Sequence, residues 1–250
     1  MSTLALTALH AKYTLIETLR VPIAVVGALA FPGLALLFFV VPNRSVAGDP
    51  VFATQAIISM AVFAMLANGL FSFGLTIAEN RAKPWDPYLR TLPAPGLARV
   101  LAHVFSTGVL GLLAIVPVVI IGALFTSAEA SPWRVLAGLA AVAASSLPFM
   151  LIGTCIGYAM PEKAAIAVIQ VVMFGLAFAG GLFLPPILFA DWLNRLSMFF
   201  PSRQAREFVI WAVQGGELPW WSWAGLIVWV AVFLALALWL FRRDEGRRFR

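Results

Sequence analysis

The chain reads as an all-α integral membrane protein: six transmembrane helices preceded by an amphipathic interfacial helix, with short re-entrant helices between the fifth and the sixth. Three observations predict this class. Apolar residues make up 62% of the 250 residues and charged residues only 11%, against about 25% charged in a globular domain, so the chain cannot cover its surface with polar groups. The 17 Lys and Arg outweigh the 11 Asp and Glu, yet the basic residues sit at the ends of apolar runs, where a membrane protein places them; this favours lipid and not nucleic acid as the partner. The apolar runs themselves reach the length needed to cross a hydrocarbon core of about 30 Å.

Residues 2–20 come first. At 100° per residue Thr3, Thr7, His10, Thr14, Glu17 and Thr18 fall on one face, with leucines and Ile16 around the remainder, the pattern of a helix lying in the interface plane. Thr7, His10, Thr14 and Glu17 are its candidate polar contacts. An ordinary leader before the first span is the alternative; a cleavable signal peptide fits less well, because the apolar run that follows is too long for one. Spans are expected at about 21–41, 54–78, 103–125, 133–160, 164–184 and 223–241. Pro32-Gly33 interrupts the first and Pro117 the third, and Gly153 and Gly157 in the fourth form a GxxxG pattern that lets two helices approach closely. Cys155 stands alone in an apolar run, so no internal disulfide can form, and a small buried apolar role is expected for it.

Two stretches depart from the lipid-compatible pattern. Residues 79–102 form the charge-dense loop between the second and third spans, beginning Glu79-Asn80-Arg81-Ala82-Lys83-Pro84-Trp85. Residues 185–222 are apolar and aromatic but hold no unbroken run long enough to span. Irregular backbone at membrane depth must be shielded by protein or water, so this region is expected to be re-entrant or interfacial. In it a helix starts after Pro201-Ser202, with Ser202 as N-cap and Gly215-Gly216 as its stop; Arg203, Arg206, Glu207 and Gln214 share one side. Trp220, Trp221 and Trp223 mark an aromatic belt at the start of the last span.

Alternating the loops puts twelve basic residues on the side of residues 79–102 and of both termini, and five on the other. The positive-inside rule therefore predicts both termini in the cytoplasm of a multi-pass protein of the cell (inner) membrane.

Several function classes fit the sequence poorly. No Asp, Glu, Lys, Arg or His lies in the middle third of an expected span, where a proton or ion relay needs one. His10 and His103 are read as near the surface and far from any paired carboxylate or serine, and there is neither a His-x-x-x-His nor a cysteine pair, so neither a hydrolase nor a metal site is expected. None of the three lysines is followed by Ser or Thr, so the chain lacks the GxxxxGK[ST] phosphate loop and is not itself expected to be an enzyme. Energy for active transport has to come from another polypeptide. An ATP-independent channel or scaffold is the alternative.

The arrangement as a whole, from interfacial helix to re-entrant helices, resembles the membrane (permease) subunit of type-2 ATP-binding-cassette exporters. Glu79, Leu89, Arg90 and Pro93 match the family's Glu-rich, Leu-Arg-x-x-Pro inner-loop signature, and Gly180 to Pro185, Trp192-Leu193 and Phe200-Pro201 are similar to its stretch after the fifth span. Lys83-Pro84 departs from the Gly-Thr often found after the family's glutamate. The resemblance implies a nucleotide-binding ATPase subunit, holding ATP and Mg, docked on the cytoplasmic loop. It also implies a second permease chain, in a homodimer or a heterodimer. For the docking loop it points to Glu79, Arg81, Trp85, Tyr88, Leu89, Arg90 and Pro93, and for the re-entrant region to Pro185, Pro186, Trp192 and Pro201. Glu79 and Arg81 could pair with the ATPase, brace the loop, or be ordinary interfacial charges; Trp85, Tyr88 and Leu89 could be anchors in an ATPase cleft or membrane-interface aromatics. The Phe-rich spans suit a hydrophobic or amphiphilic cargo moved outward, although lipid-facing residues have the same composition.

Overall fold

A computed structural model describes residues 8–13, 15–16, 20, 22–83 and 96–248, with side chains described at all of these except 22–29, 96–101 and 245–248. The described residues are helical or lie in turns, bends and short connecting stretches, with no strand among them. The helices are α1 (Pro22–Phe39), α2 (Arg44–Ala47), α3 (Pro50–Ala82), α4 (Gly96–Phe125), α5 (Pro132–Ser145), α6 (Leu147–Ala159), α7 (Glu162–Ala179), α8 (Asp191–Ser197), α9 (Pro201–Gln214) and α10 (Trp220–Arg248), with a 3₁₀ turn at Pro186–Leu188. Among the described residues, five segments are long and apolar enough to cross a membrane: Pro50–Ala82, Ala102–Phe125, Pro132–Ala159, Glu162–Ala179 and Trp220–Asp244, with Ala30–Phe39 of α1 as a shorter apolar helix. The protein is an all-α, multi-pass membrane protein.

α3 is the central helix. It packs against α1, α4, α6, α7 and α9, and Phe63, Leu66 and Leu70 at its middle are fully buried. Its longest contact is with α6, and glycines make it possible. A Cβ on Gly153 would lie 2.8 Å from the Gly69 carbonyl oxygen, and one on Gly157 2.6 Å from that of Gly74. The GxxxG pair of α6 thus meets a second pair of glycines on α3, backbone against backbone.

Helix ends follow local chemistry and shift several expected boundaries. Asp49 caps α3, its Oδ1 accepting from the backbone N–H of Val51 (2.8 Å) and Phe52 (3.0 Å), with Pro50 in the first turn. α3 therefore starts before residue 54. It also runs past residue 78 to Ala82 and stops at Lys83, whose φ −76° and ψ 131° are the extended geometry that Pro84 requires of its predecessor. Helix thus occupies 79–82 and 96–102 of the expected loop.

The expected span 133–160 is two helices. Pro148 has no N–H to offer the carbonyl one turn back, and the helix breaks at Ser146, whose N–H turns to the Ala143 carbonyl (3.3 Å). Pro32 and Pro117, by contrast, lie inside α1 and α4 without interrupting them.

The expected span 164–184 ends early, at Ala179. Gly181, at φ +75°, closes α7 with the paired bonds Leu182 N–H to Ala177 carbonyl (2.9 Å) and Gly181 N–H to Phe178 carbonyl (3.2 Å), a glycine cap that turns the chain out of the helix. Trp133, Trp192, Trp220 and Trp223 are exposed near helix ends on the side of the bundle that this turn reaches, as an interfacial belt requires.

Replacing Gly153 or Gly157 by Leu should lower the thermal stability of the detergent-purified chain by at least about 1–3 kcal/mol, because backbone and not a pliable side chain stands in the way. Gly175→Ala in α7, where nothing lies within 4 Å, should be neutral or stabilising by up to about 1 kcal/mol.

Candidate functional site: a buried arginine network and an opposing clamp

Polar groups concentrate at the two ends of α3 and in a short ladder between them. At the end near Pro50, α9 packs against α3, α5, α7 and α10. It is 14 residues long, about 21 Å at 1.5 Å per residue, too short to span. Ala205, Arg206 and Val209 of α9 are all buried, Arg206 to 5% exposure. A guanidinium can be kept there only if its donors find acceptors, and they do. Nε donates to Ser59 Oγ (2.9 Å), Nη2 to Gln55 Oε1 (3.2 Å) and Nη1 to Glu207 Oε1 (2.7 Å). Gln55 passes the network on through Nε2 to Gln214 Oε1 (3.3 Å), and Gln214 donates to the Val51 carbonyl (3.0 Å).

Glu207 also faces Arg203 at 3.2 Å, so one carboxylate serves two cations. Burial works against the charge on both: it pushes Arg203 down to about 10, still cationic at neutral pH, and lowers Arg206 in the same direction, with Glu207 opposing it in each case.

Other bonds hold α9 in place. Ser202 was expected to be the N-cap, but Phe200 takes that position and Pro201 opens the helix; the Ser202 hydroxyl donates instead to the Leu176 carbonyl of α7 (2.6 Å). A proline in the first turn leaves one fewer N–H to cap, so the hydroxyl is available to tie two helices. At the other end Arg134 of α5 donates to the Val213 carbonyl (3.1 Å), a cation on a helix C-terminus, and Gly215 at φ +81° ends the helix as expected. Pro185 is half-buried, Pro186 is buried against Gly181, Pro201 is buried, and Trp192 faces outward.

At the opposite end, Arg81 is a clamp. Its Nε and Nη2 donate to one oxygen of Asp244 in α10 (3.0 and 2.8 Å), and Nη1 donates to the Gly157 and Met160 carbonyls at the end of α6 (3.0 and 3.4 Å). Asp244 is 7% exposed. One side chain thereby joins α3, α6 and α10. Glu79, two residues earlier in α3, is half-buried. Trp85, Tyr88, Leu89, Arg90 and Pro93 lie outside the described residues, as do Thr7, Thr14 and Glu17.

Between the two ends, Asn68 Nδ2 donates to the Thr107 carbonyl of α4 (2.7 Å) and Ser72 Oγ to Asn68 Oδ1 (3.1 Å). His103 continues this ladder, which corrects its placement near the surface. It sits between α3 and α4 with Nε2 3.0 Å from the Ser72 carbonyl and its ring edge-on to Phe73 at 4.5 Å. The reason is that α4 begins seven residues before the expected start of its span, which brings His103 inside the bundle. Next to it, Ser106 Oγ donates to the Ala102 carbonyl (2.7 Å) and lies 3.2 Å from that of Ala11, where the described part of the N-terminal helix meets α4; His10 there is half-buried. Cys155 is buried with Sγ 3.6 Å from the Phe233 carbonyl. Among the described residues no three His, Cys, Asp or Glu side chains gather as a metal ligand set.

Sequence reasoning put Arg206 on a polar helix side and missed its burial. The signal that could have found it is in α3: Gln55 and Ser59, four residues apart on one face of an apolar run, need a polar partner. Arg206→Met should therefore cost about 3–5 kcal/mol in thermal or denaturant unfolding, since it leaves Gln55 and Ser59 without their donor. A double-mutant cycle with Ser59→Ala should return a coupling of about 0.5–3 kcal/mol.

No family model matches the chain. It is 24% identical over 238 residues, 95% of its own length and 94% of the other's, to a protein of Bacillus subtilis (strain 168) named "Putative transport permease YvfS". The resemblance to transport permeases read from the residues thus extends, end to end, to a second polypeptide.

Proposed function

We propose that the chain is the transmembrane permease subunit of an ATP-driven exporter, moving a hydrophobic or amphiphilic substrate outward when coupled to a separate nucleotide-binding subunit. The observation that carries this reading is the end-to-end similarity to a transport permease. The missing phosphate loop supports placing hydrolysis, with its ATP and Mg, in a partner. Twelve basic residues against five favour the Arg81 end as the cytoplasmic one.

In this reading the ATPase docks on the segment after Ala82, through Trp85, Tyr88 and Leu89 as anchors, with Glu79, Arg90 and Pro93 shaping the segment. Arg81 braces the helices behind it. Movement of the docked segment passes into α3, and Arg81 carries it to α6 and α10. The N-terminal helix lies on the same side and reaches α4 at Ser106. A second permease chain completes the pathway against helices that one chain leaves uncovered; α10 is the most exposed of the five long apolar segments.

Replacing Trp85, Tyr88 and Leu89 together by Asp should leave membrane insertion intact and reduce recovery of the ATPase subunit on the tagged chain by at least roughly ten-fold, the scale set by losing aromatic anchors from an interface. Recovery at wild-type yield would sink the docking assignment. Substrate efflux that persists with no ATPase present would favour the channel reading.

A further inference from the structure

We propose that the protein carries a binding site for one hydrocarbon chain of a membrane amphiphile, between α4 and α5 at the Arg206 end. A cavity of about 190 Å³ lies there, walled by side chains such as Ile58, Ala61, Val119, Leu139, Val209 and Val213. It exceeds the roughly 150 Å³ of an engineered apolar cavity that stays dry and binds benzene.

Its chemistry selects hydrocarbon. Thr54 and Glu129 are the residues with polar side chains in the lining. The Thr54 hydroxyl is already used, donating to the Pro50 carbonyl (2.7 Å) and accepting from the Glu129 N–H (3.2 Å). Glu129 is exposed, so its carboxylate meets water at the rim; the remaining walls are apolar, and close packing is the normal state of a protein interior, so an apolar space of this size suits an apolar occupant.

Its position supplies one. The cavity runs along α3 from Thr54 to Ala61 and along α4 from Ala123 to Ile115, about 10–12 Å at 1.5 Å per residue. That fits within one leaflet, about 15 Å of a 30 Å core. α4 and α5 form two of its walls and make little contact with each other, while Val116, Ile120 and Leu124 of α4 and Leu136 of α5 face outward beside the gap. The medium on which such a gap opens is the bilayer, and its abundant apolar component is the acyl chain. The site does not depend on ATP-driven export; it would exist in a channel or scaffold with these helices.

The test uses the full chain in nanodiscs of phosphatidylcholine and phosphatidylglycerol containing a phospholipid with a diazirine on its acyl chain, with labelled residues mapped by mass spectrometry. Val209 is 1% exposed and Ile58 4%, so a lipid chain can reach them only from within the cavity. Labelling of both is expected. In Ala61→Leu, and in Ala123→Phe at the mouth, labelling of Val209 relative to outward-facing Val232 should fall at least about five-fold, because a filled cavity leaves no room for a chain. The second variant keeps the test open if the first fails to fold. Label confined to outward residues such as Val232 and Ile120, or unchanged at Val209 in a folded variant, would overturn the proposal. So would a photo-crosslinker at Val213 that captures a second copy of the chain in place of lipid.

Discussion

The backbone-to-backbone contact of α3 with α6 is the constraint on which the other features depend. In a bilayer, helices gain nothing from hiding apolar surface, so association has to come from close van der Waals packing and hydrogen bonds. Gly69 and Gly74 on α3 and Gly153 and Gly157 on α6 supply the packing. The contact fixes the register of the two helices, and with it the place of everything attached to them. Met160, one turn beyond Gly157, ends up where Arg81 can reach its carbonyl, and Phe149 is buried where α6 begins, just after the break at Pro148.

Several polar groups of α3 stand where a second helix meets them. Gln55 and Ser59 accept from Arg206, Asn68 and Ser72 face α4, and Arg81 reaches α6 and α10. In water such bonds would compete with solvent and contribute little; away from water, leaving any of them unmade is costly. Each therefore fixes which helix stands beside α3 at that depth. α3, at 33 residues the longest of the described helices, is also held by side-chain bonds at both of its ends.

The fold class was legible because composition and run length report directly on lipid compatibility, and so was the glycine stop at Gly215. Boundaries were less legible where a helix continues past the apolar run. Glu79, Asn80 and Arg81 are compatible with helix, and only Lys83-Pro84 ends it. Gly180-Gly181 looked like part of an apolar span because hydropathy does not register a positive φ. Which residues pair across the chain was not legible, even where, as at Gln55 and Ser59, the need for a polar partner was. Arg81 with Asp244 and Arg206 with Ser59 are separated by 163 and 147 residues, and nothing local in either partner names the other. A charged residue near a span end reads the same whether it faces water or a buried partner, so Asp244, set among the arginines that follow the last expected span, gives no local sign of Arg81.

On the proposed reading, a separate ATPase supplies the work that moves this apolar bundle, gripped at both ends of α3. The most direct measurement is ATP hydrolysis by the complex that purifies from native membranes on a tagged copy of this chain, with and without vanadate. The account predicts a co-purifying subunit that contains a phosphate loop, and hydrolysis that vanadate abolishes. A chain that purifies free of any ATPase, yet moves substrate across reconstituted membranes, would contradict it.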